Sequence, residues 1–407
     1  MTNERGFFMK YVIVLGDGMA DRPIQELGGK TPLAYATTPN LDRLAAGAQI
    51  GMVQTIPEGM KPGSDTANLA VLGYDPRQYY TGRSPLEALS IGVPMEKTDI
   101  ALRCNLVTLT EEESYEEKRI IDHSSDEIST EDAHILIEAI KEVFTEEAWS
   151  FYTGTSYRHL TIWHEGRVVE LTPPHDILEQ QIGAYLPEEE ALRRMMEKSF
   201  AVLNHHPLNE ERARKGLHKA NSIWFWGAGT KPALASFYEK TGKRGAMISA
   251  VDLLKGIAVG SGMRMIEVEG ADGTLHTNYE GKAAAAVKTL LEQGDDFVYI
   301  HVEAPDEMGH QGSIERKIEA IEYLDARVIG PLVQALEEQH TDFRLLVLPD
   351  HPTPIAVRTH TSDPVPYLLY DSTRTEQHDW LYNEAAAEQT GQLLQEGYRL
   401  MDILLEN

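Results

Sequence analysis

Lys10-Tyr-Val-Ile-Val-Leu-Gly-Asp17-Gly18 is a short, β-branched apolar run that stops abruptly at glycine and aspartate. It reads as a buried strand whose end delivers a carboxylate. Comparable runs lie at residues 222–226, 246–249, 297–302, 345–348 and 367–370, with helical patterns at 231–241, 282–293 and 313–339 between them. Strands alternating with helices of this length predict an α/β fold on a largely parallel sheet. Residues 101–217 have a different texture. They hold an acidic stretch at 111–117, a helix opened by Ser129-Thr130 with Glu131 and Asp132 in its first turn, and a loop at Pro173-Pro174-His175. No strand-end carboxylate signal occurs there. A second, smaller α+β domain over 101–217 is therefore expected, inserted into a first domain formed by 1–100 and 218–407. Residues 1–8 precede the patterned sequence and are expected to form an extension.

A chain of 407 residues is long enough for that organisation. Apolar residues make up 42% and charged residues 25%, a globular balance that argues against disorder. No stretch approaches the roughly 20 apolar residues of a membrane helix, and the N-terminus has no signal-peptide pattern. Cys104 is the single cysteine, which rules out an intrachain disulfide and points to a cytoplasmic location. The formal charge of −27 argues against nucleic acid or an acidic membrane as partner. An anionic substrate must then be captured by local cations or metal ions.

Three strand ends carry the chemistry. Val302-Glu-Ala-Pro-Asp306-Glu-Met-Gly-His310 follows an apolar run and puts a carboxylate and an imidazole on one face of a helical turn. Such a pair is half a site for a divalent metal, and equally a surface ion pair. Arg344-Leu-Leu-Val-Leu-Pro-Asp350-His351 ends a second run in acid and imidazole, with His360 nine residues later. Open α/β sheets bind ligands at the carboxyl ends of their strands. The first run ends at Asp17. Its glycines fail the dinucleotide-binding fingerprint because Asp21 stands at the third glycine position, and no Gly-Lys-Ser/Thr loop occurs. Nucleotide-dependent transfer thus has no support. Asp17, Asp306, Asp350, His310, His351 and His360 suit two metals about 4 Å apart, clamping an in-line displacement at phosphorus. Ser64, in Pro62-Gly-Ser64-Asp-Thr-Ala-Asn-Leu69, sits where a turn becomes a helix. Local sequence leaves it either a nucleophile facing a phosphate or a helix cap.

Gly16-Asp17-Gly18, Gly63-Ser64-Asp65, Asp306-x-x-x-His310, Asp350-His351 and His360-Thr-x-x-Pro-Val-Pro366 stand in the order typical of the alkaline phosphatase superfamily. Within it the chain resembles the archaeal-type, cofactor-independent (2,3-bisphosphoglycerate-independent) phosphoglycerate mutases. Supporting segments include Thr38-Pro-Asn40-Leu-Asp42, Gly73-Tyr-Asp-Pro76, Gly82-Arg83-Ser-Pro-Leu-Glu87 and Ser249-Ala-Val-Asp252-Leu-Leu-Lys255. The resemblance implies an alkaline-phosphatase-like core with an inserted domain. It implies one metal on Asp17, Ser64, Asp350 and His351, and a second on Asp306, His310 and His360. Ser64 would accept the phosphoryl group of 3-phosphoglycerate as phosphoserine and return it to the 2-hydroxyl, a step of glycolysis and gluconeogenesis. Two divalent ions are implied, manganese first, with magnesium, zinc and cobalt also suited; neither 2,3-bisphosphoglycerate nor a nucleotide is needed. Arg83, Arg103, Arg158 and Lys255 are the cations expected to bind this small phosphorylated hydroxy acid. Holding glycerate between two steps requires exclusion of water, so closure of the inserted domain is expected, with hinges near 90–103 and 215–222.

Two segments depart from that family. Its arginine-rich Asp-Arg-Arg-x-Gly-Arg segment corresponds here to Ile121-Asp-His123-Ser-Ser-Asp-Glu-Ile-Ser129, and its Asp-x-Asp-Pro-His to Leu171-Thr-Pro-Pro174-His175. The alternative they raise is a related metal-dependent phosphotransferase acting on another alcohol, homoserine kinase-like, or a phosphatase.

Overall fold

The strand Lys10–Gly16 forms as its composition dictates, with every residue after Lys10 buried. A run covered on both faces belongs to the middle of a parallel sheet, and that is its position. In the computed structural model, which describes residues 9–374 and 377–406, it lies between Phe297–Val302 and Phe343–Leu348, parallel to both. The expectation for residues 1–8 falls outside the described residues. Gly245–Ile248 and Arg264–Met265 extend the sheet on one side in parallel. On the other side Val365–Asp371 runs antiparallel to both of its neighbours, Phe343–Leu348 and Ala48–Val53, and Leu393–Leu394 closes the edge. The sheet of eight strands is thus mixed, with a parallel centre. Helices such as Tyr279–Leu291 and Ile314–Leu324 contribute Tyr279, Ala283, Ala286, Ala320 and Leu324 to the core built on it.

The chain divides into two compact units, Met1–Tyr80 with Ala233–Asn407, and Thr81–Pro232. This division lies outside the expected 101–217. The reason is strand pairing: Ile100–Leu109 is the hub of a second, five-stranded antiparallel sheet, and Ser222–Thr230 pairs along it. The run at 222–226 therefore belongs to this sheet and not to the parallel one. The segments expected as hinges, 90–103 and 215–222, carry parts of these paired strands and are internal to the unit. The helix Thr130–Val143 starts as expected, Ser129 accepting a hydrogen bond from the Asp132 N–H at 3.1 Å.

Other differences have local causes. Of the pattern at 231–241 only Phe237–Thr241 is helical; Pro232 precedes it and Ser236 supplies the cap. The pattern at 313–339 is helical but interrupted by a π turn at Asp325–Ile329 before Gly330–Glu338. That turn has a structural use. Asp325 is fully buried and accepts the N–H groups of Leu41 at 2.7 Å and Asn40 at 3.2 Å, capping the helix Pro39–Ala45 whose own Thr38 makes no side-chain cap. Asp325→Ala strands the buried Leu41 N–H and the half-buried Asn40 N–H. It is expected to destabilise the first unit by about 1–3 kcal/mol, read as an earlier urea transition with the second unit's transition unmoved.

Candidate metal centre

The register of the parallel strands brings the site together. Leu15 aligns with His301 and with Leu348, and Gly16 with Val302, so the residues that follow leave the sheet at one edge. Asp17 comes directly after the first strand, Asp350 two residues after the third. Asp306 comes from the helix Ala304–Gln311 that opens behind Val302. Gly18 turns the chain there with φ of +58°; a Cβ on it would lie 2.7 Å from the Asp306 Cα, so only glycine fits between the two.

Asp17, Asp306 and Asp350 are all buried, at 2%, 6% and 0% exposure. Ligand atoms of Asp17, Asp350 and His351 lie within 4.8 Å of one another, as do those of Asp306, His351 and His360. His310 joins the second group: its Nε2 is 3.1 Å from Asp306 Oδ2 and 3.1 Å from His360 Nε2. His310 Nδ1 sits 3.0 Å from the Arg358 carbonyl, which requires the proton there and turns Nε2 inward toward the Asp306 carboxylate. The rings of His351 and His360 stack at 4.0 Å.

Ser64 is the first residue of the helix Ser64–Val71, and Gly63 holds the cap position without a side-chain bond. The Ser64 Oγ lies 3.1 Å from His351 Nε2, inside the ligand set. The alternative of a capping serine is thereby removed. All seven residues expected as ligands thus converge within the first unit.

The electrostatics call for cations. Burial, then the charges of Asp350, Asp306 and Glu303, push the Asp17 carboxyl well above its usual range. Its Oδ1 is buried and has no hydrogen-bond partner among the described residues. Burial alone would raise Asp306 as well, but hydrogen bonds from His310 and His360 hold it well below. The same bond lifts His310 to about 9. Clustered carboxylates, an orphaned oxygen and imidazole nitrogens facing one another fit divalent metal ions.

Sequence reasoning missed the frame around the ligands. Asn68, one helical turn after Ser64, donates to the Ser64 carbonyl at 2.8 Å and to Asp350 Oδ2 at 3.0 Å, and Tyr299 donates to the Asn68 side-chain oxygen. His301 Nε2 lies 2.9 Å from Asp17 Oδ2, and the Thr353 hydroxyl donates to Asp306. Two fully buried lysines hold backbone carbonyls beside the site. Lys282 donates to the His301 carbonyl at 2.8 Å, and Lys317 to that of Thr353 at 2.8 Å and to Asp21 at 2.8 Å. Burial brings Lys282 down to about 8. A polar residue inside a buried strand, as at Tyr299 and His301, was the available signal.

The four expected substrate cations are not with the ligands' partners. Lys255 is 3.7 Å from Asp252 and from Glu267. Arg83, Arg103 and Arg158 belong to the second unit, where Arg83 and Arg103 share Glu87 and Arg158 lies beside the Tyr157 ring.

Because Asn68 donates to Asp350, Asn68→Ala is expected to weaken divalent-metal binding about 10–100-fold in calorimetric titration. Unchanged affinity would show that Asp350 holds its position without it.

The sequence and the fold can be compared with known proteins. A family description, 2,3-bisphosphoglycerate-independent phosphoglycerate mutase, matches residues 45–209. A curated Methanosarcina barkeri protein named 2,3-bisphosphoglycerate-independent phosphoglycerate mutase is 50% identical over 90% of this chain and 92% of its own. A Geobacter sulfurreducens protein, named as a probable enzyme of that kind, is 48% identical over 98% of this chain and 100% of its own. Among solved structures, a Pyrococcus horikoshii protein superposes with a TM-score of 0.82 at 32% identity, covering 98% of this chain and 97% of that one. The chain belongs to the 2,3-bisphosphoglycerate-independent phosphoglycerate mutases.

Proposed function

We propose that the chain interconverts 3-phosphoglycerate and 2-phosphoglycerate through a phosphoserine at Ser64. The observation that carries this reading is the Ser64 hydroxyl 3.1 Å from His351 Nε2, amid three buried aspartates. In our assignment Asp17, Ser64, Asp350 and His351 hold one divalent ion, and Asp306, His310 and His360 hold the other, manganese suiting this mixed donor set. Bound there, the ions would neutralise charge on phosphoryl oxygens and favour ionisation of the Ser64 hydroxyl.

The chain's own residues supply the rest. The start of the helix Ser64–Val71 aims the Oγ, and Asn68 fixes that turn through the Ser64 carbonyl. An Oγ–P bond forms as the bond from phosphorus to the glycerate 3-oxygen breaks, and the serine proton ends on that oxygen. The second transfer reverses these events with the 2-hydroxyl, whose proton returns to Ser64. Neither nucleotide nor 2,3-bisphosphoglycerate enters this balance. Arg83, Arg103, Arg158 and Lys255 are our candidates for binding the substrate's carboxylate and phosphate. No helix among the described residues is long and apolar enough to cross a membrane, and the buried Cys104 is free; we assign the enzyme to the cytoplasm.

Protein stripped with a chelator is expected to lose activity and to regain 2-phosphoglycerate formation from 3-phosphoglycerate when manganese is returned. Release of inorganic phosphate alone would support a phosphatase instead, and transfer only to another alcohol would support a kinase-like enzyme. Ser64→Ala should abolish turnover and phosphoenzyme labelling while an ion remains at Asp306, His310 and His360. Asp306→Asn should lower the metal content by one ion per chain, as read by elemental analysis; an unaltered content refutes the assignment.

A further inference from the structure

In a chain of net charge −27, the second unit gathers cations and aromatic rings into one continuous row. Glu87 joins two guanidiniums, accepting from Arg83 Nε at 3.0 Å and Arg103 Nε at 2.7 Å. Arg103, whose side chain is only 11% exposed, lies 4.8 Å from the Trp226 ring, and Trp226 is anchored by its N–H on Asn105 Oδ1 at 3.1 Å. His175 stands edge-on to Trp226 with centroids 5.4 Å apart. His123 is 6.1 Å from His175 and 5.8 Å from Tyr157, and Arg158 closes the row 5.3 Å from Tyr157. A guanidinium carries five N–H donors, so Arg103 keeps donors beyond the one spent on Glu87.

We propose that His123 and His175 complete, with Arg103 and Arg158, a binding site for a small organic anion bearing carboxylate and phosphate, and that the two imidazoles bind it as imidazolium. This rests on the mutase reading for the identity of the anion. The groups facing the histidines set the sign of the pH effect. Burial pushes the His175 imidazole down, the carboxylate of Asp176 at 3.5 Å opposes this, and the neighbouring His123, Arg103 and Arg83 add to it. His123 follows Asp122, a carboxylate already accepting backbone N–H groups of Ser124 and Asp126 and lying 3.6 Å from His218. In the free protein His175 thus favours its neutral form. An arriving anion favours imidazolium and raises the folded-state pKa of the ring. Binding therefore takes up protons, and affinity falls as pH rises through the raised value.

The test is calorimetric titration of 3-phosphoglycerate into manganese-loaded, full-length Ser64→Ala protein, in two buffers of different ionisation enthalpy near neutral pH. Proton uptake is expected, and His123→Gln and His175→Gln should each weaken binding about tenfold and reduce the uptake. Unchanged affinity and uptake in both variants, or loss of binding in Arg103→Gln alone, would overturn the imidazole site. The mutase reading fails separately, through absence of 2-phosphoglycerate formation by the unsubstituted enzyme. No binding of 3-phosphoglycerate at all overturns both.

Discussion

Mutual repulsion among Asp17, Asp306 and Asp350 is the constraint on which the rest of the first unit depends. Two carboxylates roughly 5 Å apart repel by about 3 kcal/mol at an effective dielectric near 20, and burial adds to this. The chain accepts this arrangement because three parallel strands end in register and release these side chains at one edge. Such a cluster, with imidazoles beside it, suits the holding of cations. The imidazoles of His310, His351 and His360 stand among the carboxylates as further donors, and the hydroxyl of Ser64 is placed within their reach.

Holding that cluster requires a rigid polar frame. Each aspartate has a neutral partner on one oxygen: His301 on Asp17, Thr353 on Asp306, Asn68 on Asp350. The frame is itself anchored, with Tyr299 on Asn68 and the buried lysines on the carbonyls of His301 and Thr353. These ammonium groups also place positive charge behind the carboxylates without entering the ligand set. Orientation by such partners is what makes a metal site selective and tight.

The second unit solves a different problem. Its antiparallel sheet brings Arg103 and Trp226 opposite one another by direct strand pairing. The 3-10 turn Pro174–Ile177 then puts His175 against the Trp226 ring, and His123 packs on His175. Arginines 55 and 75 residues apart in sequence, Arg103–Arg158 and Arg83–Arg158, give no local sign of proximity. Their grouping follows from which strands are neighbours.

The sequence by itself determined the central parallel strands and the carboxylates and imidazoles proposed to hold metal at their ends, because a buried strand leaves an apolar run and a strand end leaves an abrupt polar stop. Where local signals ended, so did legibility. Unit boundaries moved from 101–217 to Thr81–Pro232 because the pairing of Ile100–Leu109 with Ser222–Thr230 is a contact between distant residues. The role of Ser64 was open between cap and nucleophile, since both need a hydroxyl at a helix start. Only the tertiary structure set the cap reading aside, by putting Gly63 at the cap and His351, 287 residues away, 3.1 Å from the Oγ. Asn68, Tyr299, His301 and Thr353 were hidden for the same reason: one hydrogen bond across the fold leaves no periodicity in the chain.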